Sequence, residues 1–517
     1  MFLRRRIINF ALLLLLAGCA TAPPAAKQPP NLLFIIVDEM RYDLLAAYGN
    51  DRIRMPNLDR FAAKSVVFER AYVVQPVCTP SRATLLTGVY PHTHGCVDNN
   101  IAIPASLPVV PELLPKNYRT GYMGKWHLGD EVFAQRGFEE WVSIEDYYFK
   151  NFSAGRDKET RSSYHHWLIA QGLKPADGKT FSREESTRLP EKFGKPAFLA
   201  AEAERFLSQG KDPFALYVSF LEPHMPFFGP RDNEYDPADV LLPPNFDHLL
   251  SADQPLKARL YQASLAEVGF DGLPLKTEAD WRRMIANYWG LCSLIDTYVG
   301  KILDALERNG QAGNTMIVFT TDHGDMMGSH KLLTKGFQFE EAVRVPLILN
   351  LPGQTAGVRV KESVSHVDLL PTMLDYLGCP IPTHFQGSTL RPLIEGRGGG
   401  RDVIIEWNAG PGSTPAQISK PIFEGKLPPG LQGKVTPEQA KAAFYDPIRT
   451  ILTPDGWKLS VSLKLGEHAL YNLNDDPQER KNLVRDPAHK TRINDLLERL
   501  GRRMAETSDS AALPERL

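Results

Sequence analysis

Cysteine is scarce in this chain, five residues in 517, and that excludes a disulfide-built scaffold. An excess of either charge is lacking too. Lys plus Arg total 59 against 61 for Asp plus Glu, a formal net charge of -2. Nucleic-acid binders ordinarily carry a clear basic excess, so no nucleic-acid partner is expected. The N-terminal apolar stretch, residues 7–16, is broken by Asn9 and too short to span a bilayer as a stable helix. What remains is ordinary globular material, 43% hydrophobic and 23% charged, which excludes a mainly disordered chain. Single cores stop growing at roughly 300 residues, so this length predicts one large and one smaller domain.

The first thirty residues read as an address. Arg4, Arg5 and Arg6 precede the short apolar run, and small residues close it at Leu16-Ala17-Gly18-Cys19. This resembles the lipobox of bacterial lipoproteins, in which cleavage leaves the cysteine as the lipidated first residue. The alternative is a plain secretory signal with an incidental cysteine. The resemblance implies a signal peptide over 1–18, a lipid anchor at Cys19 and an Ala/Pro-rich tether over 19–30. It also implies the bacterial cell envelope, on the periplasmic side or the outer membrane.

Three apolar runs end in polar residues. Residues 32–37 stop at Asp38-Glu39, 214–220 run into Glu222-Pro223-His224, and 315–320 end in Thr321-Asp322-His323-Gly324-Asp325. Continuous apolar runs of this length with β-branched members read as fully buried strands. Ile295, Val299, Ile302 and Leu306 recur at helical spacing, and Asn309-Gly310 is a good helix stop. Strands alternating with helices predict an α/β fold with a large, mostly parallel sheet covered on both faces. Ligands collect beyond the carboxyl ends of such strands, where Asp38, His224 and Asp322 would meet. Any one aspartate after a strand is more often a turn or cap residue. Together Asp38, Glu39, Asp322 and His323 offer hard oxygen ligands and one imidazole. That set favours calcium or magnesium over zinc and leaves a transition metal open. Asp43 and Asp325 are read as supporting residues and not as ligands.

Residues 77–88 are the most informative segment. Thr79 or Cys78 can cap a helix that tolerates Pro80 in its first turn and ends at Gly88. Cys78 then sits at a helix N-terminus, where the dipole favours anions, and Arg82 follows one turn later.

Cys78-Thr79-Pro80-Ser81-Arg82, followed by Leu85-Leu86-Thr87-Gly88, resembles the signature of the formylglycine-dependent sulfatases of the alkaline phosphatase superfamily. Gly124-Lys125-Trp126-His127-Leu128-Gly129, His224-Met225-Pro226-Phe227 and Thr321-Asp322-His323-Gly324-Asp325 resemble further motifs of that family, in family order. Lys335-Gly336, Glu340-Glu341, Arg344-Val345-Pro346-Leu347, Leu470-Tyr471-Asn472-Leu473, Asp476-Pro477 and Asn482-Leu483 fit as well, so the likeness runs from about residue 31 to 484. One departure stands out: many relatives carry two aspartates where this chain has Asp38-Glu39, which makes Glu39 the least secure ligand.

The resemblance implies that Cys78 is oxidised to formylglycine by a formylglycine-generating or anaerobic sulfatase-maturating enzyme. A hydroxyl of the hydrated aldehyde attacks sulfur, and loss of a proton from the second hydroxyl releases sulfate. It further implies that Asp38, Glu39, Asp322, His323 and residue 78 hold calcium, with magnesium as the alternative. Arg82 and Lys125 orient the nucleophile, His127 takes the proton in the release step, and His224 and Lys335 bind the sulfate, one of them protonating the leaving oxygen. The implied substrate is a sulfated small molecule or carbohydrate. Two other readings stay open: a phosphate mono- or diester hydrolase of the same fold, and a non-catalytic lipoprotein that binds sulfated glycans.

A catalytic domain is expected over 31–395, marked off by Gly396–Gly400. An α+β subdomain of antiparallel sheet and terminal helix is expected over 396–506, and a loose tail over 507–517. Cys96, Cys292 and Cys379 are left as packing residues with no obligatory bridge. Tyr147, Tyr148, Phe149, Phe152, Tyr164, His165, His166 and Trp167 form an aromatic stretch that suits either sugar stacking or ordinary packing.

Overall fold

The computed structural model describes residues 28–517 apart from 211, 409, 411 and 412. Cys19, the leader and most of the tether lie outside the described residues. The apolar run at Leu32 is β1 (Asn31–Asp38), buried along its whole length. It lies inside an eight-stranded sheet with β2 (Val66–Tyr72), β3 (Arg119–Gly124), β4 (Glu140–Val142), β5 (Phe214–Pro223), β6 (Thr315–Thr321), β7 (Arg344–Asn350) and β8 (Val358–Ser365). The strand order is β4-β3-β5-β1-β6-β7-β2-β8. β3, β5, β1 and β6 are adjacent and parallel. β7 runs against β6 and β2, which makes the sheet mixed. Four neighbouring strands therefore end along one edge, the arrangement that gathers ligands in open α/β sheets.

Both faces of the sheet are covered, which is why these strands read as unbroken apolar runs. Leu33, Ile35 and Val37 enter one core with Ile295, Val299 and Ile302 of the long helix Glu278–Arg308. Leu32, Phe34 and Ile36 enter the opposite core with Leu369, Leu370 and Leu374 of the helix Leu369–Leu377. Burying each such branched side chain contributes about 1.5–3 kcal/mol relative to exposure. The long helix starts earlier than its apolar repeat suggests, because Thr277 and Asp280 form a reciprocal capping box. β5 also runs past residue 220, to Pro223.

The second sheet is antiparallel, β12-β11-β10-β9, from β9 (Val403–Trp407), β10 (Ile448–Leu452), β11 (Trp457–Ser462) and β12 (Ala469–Asn472). The helix Lys490–Glu506 lays Ile493, Leu496, Leu497, Leu500 and Met504 over Ile451, Leu459, Val461 and Leu470. That spacing is one apolar face of a helix. On β11 the fully buried Lys458 reaches Glu340 at 3.0 Å and Glu479 at 2.9 Å. The residues after 506, expected to be loose, are anchored instead. Asp509 accepts from Arg449 Nε at 2.5 Å, and Leu513 and Leu517 pack against the helix-and-sheet core. Cys78, Cys96, Cys292 and Cys379 are free and buried. No described helix is long and apolar enough to cross a membrane.

Candidate active site

Each strand of the shared edge delivers side chains to one place. β1 ends in Asp38 and is followed by Glu39; β3 leads to Lys125, β5 to His224, and β6 to Asp322 and His323. Beyond β2 the chain enters the helix Cys78–Thr87, all of whose residues are buried. A cap at Thr79 or Cys78 was expected, but Val77 holds that position with extended backbone and its carbonyl accepts from Ser81 N–H at 3.1 Å. The reason is that the Thr79 hydroxyl is spent elsewhere, donating to the His127 carbonyl at 2.5 Å. Cys78 is thus the first helical residue, and its sulfur faces the positive end of the helix dipole.

Cys78 Sγ lies 3.2 Å from His323 Nε2, 3.8 Å from Asp38 Oδ1 and 3.9 Å from Lys125 Nζ. Arg82 spans the two aspartates, with Nε 2.8 Å from Asp322 Oδ2 and Nη2 2.8 Å from Asp38 Oδ2. Its Nη1 donates to the Lys125 carbonyl at 2.9 Å and to Ser219 Oγ at 2.8 Å. Lys125 Nζ sits 2.7 Å from Asp38 Oδ2. Burial alone would push the Asp38 carboxyl up, but Lys125, His224 and Arg82 around it hold it well below the usual carboxylate range. Burial, with Asp38 adding to it, pushes the Cys78 thiol up to about 12. The sulfur is therefore no ready-made thiolate.

Glu39 divides its carboxylate. Oε2 accepts from Lys335 Nζ at 2.7 Å and lies 3.4 Å from His224 Nε2, whereas Oε1 is buried without a hydrogen-bond partner. Burial pushes Glu39 up to about 8; Asp325 and Asp38 add to this and Lys335 opposes it. His224 turns Nδ1 toward the Met225 carbonyl at 2.7 Å, so Nε2 is the lone pair that receives Lys335 at 2.9 Å. Burial and then Lys335 hold His224 well below its ordinary value. Cys78, Glu39 and Asp38 overcome burial and raise Lys335, so the proton of this pair rests on the lysine.

His127 is fixed through its backbone. The Glu131 carboxylate accepts from both Trp126 N–H and His127 N–H at 2.7 Å. The ring packs on Tyr148 with centroids 4.7 Å apart, and Nδ1 is buried without a partner. Burial, then Lys125 and Arg82, keep His127 neutral well below its ordinary value. Backbone strain collects here: Glu39 at φ 69° and His127 at φ 61° sit in the left-handed region, a cost that persists where surrounding structure over-determines the geometry. Gly124, at φ 112°, has to be glycine, because a Cβ would lie 1.8 Å from the Ser219 carbonyl oxygen.

One ligand atom each from Asp38, Cys78, Asp322 and His323 lies within 4.8 Å of the others, all buried. Two carboxylates, one imidazole and the atom on residue 78 suit a divalent cation, and Arg82 and Lys125 already hold Asp38 in its ionised form. Glu39 stands outside this group of four but groups with Asp38 and His224. Its unpartnered Oε1 and that of Asp325 Oδ2 are the buried acceptors a bound cation or proton would satisfy. The donor set fits a metal.

Every residue singled out for chemistry in the described chain thus reaches this edge. Ser219, Glu131 and Arg183 belong to its surroundings and were not singled out, whereas Tyr148 of the aromatic stretch packs on His127. Ser219 could have been found as the one polar residue inside the run 214–220. Arg183 carries no local signal; it opens the short helix Arg183–Thr187 and binds the Tyr148 hydroxyl at 3.1 Å.

Comparison with known proteins agrees in direction. The family model described as Sulfatase matches residues 30–379. An uncharacterised sulfatase of Escherichia coli is 30% identical over 474 residues, covering 88% of this chain and 83% of its own. An N-acetylglucosamine-6-O-sulfatase of Bacteroides thetaiotaomicron is 25% identical, covering 96% and 90%. The solved phosphonate monoester hydrolase of Agrobacterium radiobacter shares the fold, with a TM-score of 0.71 at 24% identity over 92% of this chain and 96% of that one.

Proposed function

This chain belongs to the sulfatase family of the alkaline phosphatase superfamily and is a sulfuric ester hydrolase; from that premise we propose that it acts on a sulfated carbohydrate through a formylglycine made from Cys78. The observation that carries the proposal is the position of Cys78 Sγ, 3.2 Å from His323 and facing Asp38 and Lys125, in a place where a thiol stays protonated. A cysteine kept that way is a poor nucleophile, and its oxidation to an aldehyde gives the position another use. Carbohydrate is favoured by the glucosamine sulfatase among the relatives.

Asp38, Asp322, His323 and residue 78 would hold a divalent cation, calcium with magnesium as the alternative, and Glu39 Oε1 is available as a further donor. Bound there, the ion would supply Lewis-acid polarisation and neutralise sulfate charge. The hydrated aldehyde would supply a hydroxyl nucleophile and a route to sulfate release without a second attack on sulfur.

The remaining steps fall to the chain's own side chains. Arg82 clamps Asp38 and Asp322 with separate nitrogens and keeps both carboxylates aimed at residue 78. Lys125 adds positive charge beside the same carboxylate and the nucleophile position. Lys335 and His224 form the sulfate-binding pair, in which His224 Nε2 steadies Lys335 and the ammonium is the preorganised donor that acts where charge builds in the transition state. One member of that pair, which shares a proton between Lys335 Nζ and His224 Nε2, protonates the leaving oxygen. His127, neutral and with Nδ1 unpartnered, accepts the proton in the release step.

The same reading has Cys19 lipidated and the enzyme in the bacterial envelope, supported by Arg4-Arg5-Arg6 and Leu16-Ala17-Gly18-Cys19. It also requires a formylglycine-generating or anaerobic sulfatase-maturating partner. Side-by-side turnover of an aryl sulfate, an aryl phosphate and a glucosamine 6-sulfate tests the reading. Sulfate esters should be preferred by about 100-fold or more, a difference of some 2.7 kcal/mol. A preference for the phosphate ester would overturn it.

A further inference from the structure

Beside the candidate active site lies a cavity of about 390 Å³ bordered by Asn100, Tyr147, Lys150, Arg183 and Lys195. Two contacts tie its lining residues to the chemistry. The Tyr148 ring packs on His127 and its hydroxyl accepts from Arg183 Nη2 at 3.1 Å. Asn100 donates its backbone N–H to Thr79 Oγ1 at 3.1 Å, one residue from Cys78.

The charges around this cavity do not cancel. Arg183 engages Glu145 bidentately, at 2.8 Å through Nε and 2.7 Å through Nη2. The same Glu145 also accepts from Lys195 Nζ at 2.9 Å, so one buried carboxylate serves a buried lysine and a half-buried arginine. Asp146 is already taken, by His165 Nδ1 at 2.8 Å and Ser162 N–H at 2.7 Å. Arg183 Nη1 finds no acceptor among the described residues. Lys150 adds another positive charge on the wall. A half-buried guanidinium with a donor to spare recognises planar or tetrahedral oxyanions. Against it stands Tyr147, 68% exposed, with its ring 5.2 Å from the Arg183 guanidinium carbon. The cavity thus sets an exposed aromatic face beside its cations, and apolar or aromatic walls with a few placed polar groups are the make-up of a ligand site.

We propose that this cavity is a second anion subsite, in which Arg183 binds a carboxylate or second sulfate on the saccharide bearing the scissile ester, and Tyr147 stacks against a sugar ring. The proposal rests on the reading of the enzyme as a carbohydrate sulfatase and adds the substrate class: saccharides with two anionic groups. Arg183 here binds and positions substrate, and takes no part in breaking the S–O bond.

Four substrates test it on the full-length, matured enzyme: an aryl sulfate, glucosamine 6-sulfate, the same sugar with an N-sulfate, and a 6-sulfated glucosamine joined to a uronate. The wild type should turn over at least one doubly anionic sugar with kcat/KM about 10-fold or more above the singly sulfated one, the range of a charge-assisted hydrogen bond. The arm that gains identifies the sulfate or the carboxylate as the second anion. Arg183→Gln should erase that ratio through KM, and Tyr147→Ala, at an exposed position, should lower the ratio of each of the three sugars to the aryl sulfate. Equal kcat/KM for singly and doubly anionic sugars in the wild type overturns the subsite, and so does an Arg183→Gln loss shared equally by all four substrates. Turnover of the aryl sulfate alone overturns the carbohydrate reading and the subsite with it. No turnover of any sulfate ester strikes the proposed mechanism itself.

Discussion

Lys335 donates to Glu39 Oε2 at 2.7 Å, and both side chains are buried under the shared carboxyl edge of the sheet. The glutamate that departs from the family's two-aspartate pattern is therefore long enough to hold Lys335 through Oε2 while its other oxygen is left to the Asp325 carboxyl. Glu39→Gln keeps the size but replaces the carboxyl that faces Lys335 with an amide that cannot ionise. Loss of that contact should lower kcat/KM by about 10-fold or more, the range of a hydrogen bond to a charged group. Glu39→Asp, which retains a carboxyl group, should recover part of the loss. Steady-state kinetics within threefold of wild type for the glutamine variant would detach this pair from catalysis.

Arg82 makes four hydrogen bonds with three nitrogens, to Asp38, Asp322, the Lys125 carbonyl and Ser219. A lysine ammonium cannot reproduce that planar fork. Arg82→Lys should lower kcat/KM by about 100-fold or more, and leaving an aspartate buried and underpaired should lower the unfolding free energy by about 3 kcal/mol. Urea titration beside kinetics checks both, and a variant of wild-type stability would show that one aspartate contact is dispensable.

Gly124→Ala places a Cβ against the Ser219 carbonyl and forces φ 112° on an L-residue. The strain alone is of order 1–3 kcal/mol, before the clash is relieved. The expected outcome is a lower thermal midpoint and displacement of Lys125, the next residue. An alanine variant with unaltered melting would mean that β3 and β5 can separate locally without cost.

His92 couples the second sheet and the tail to the body. Its Nδ1 lies 2.6 Å from Glu406 Oε1 and its Nε2 2.9 Å from the Thr507 carbonyl. Burial lowers its pKa, but the Glu406 hydrogen bond and charge outweigh that and raise it above the ordinary value of about 6.5. The folded protein thus holds this proton more tightly than the unfolded chain. The resulting stability is full below about pH 6.5 and is lost as pH rises through the folded value. Melting temperatures should fall over that window in the wild type, and His92→Gln should flatten this part of the profile. A variant that retains the full slope would assign it to another group.

The strands and their polar ends are legible in the sequence because a buried strand must be apolar and the site begins where it stops. Asp38, His224, Asp322 and His323 are read on that ground alone. Cys78, Arg82, Lys125 and Lys335 lie in loops or at a helix start and are recognisable only through spacing that resembles a family. Glu39 was readable as a carboxylate but not as one shared between Lys335 and an open position, since that depends on a loop about 300 residues later in the chain. Arg183, and the packing of Tyr148 on His127, escape for the same reason: each contact joins segments whose separation leaves no periodic trace. The tail at Asp509 looked loose because its partner, Arg449, comes from β10.

Peptide mass spectrometry across residue 78, on protein recovered from its native secretion route, tests the central claim most directly. The proposed mechanism predicts the aldehyde or its hydrate at position 78 in the active protein, and loss of sulfate-ester turnover in Cys78→Ala. An unmodified thiol at that position in protein that still hydrolyses sulfate esters would contradict it.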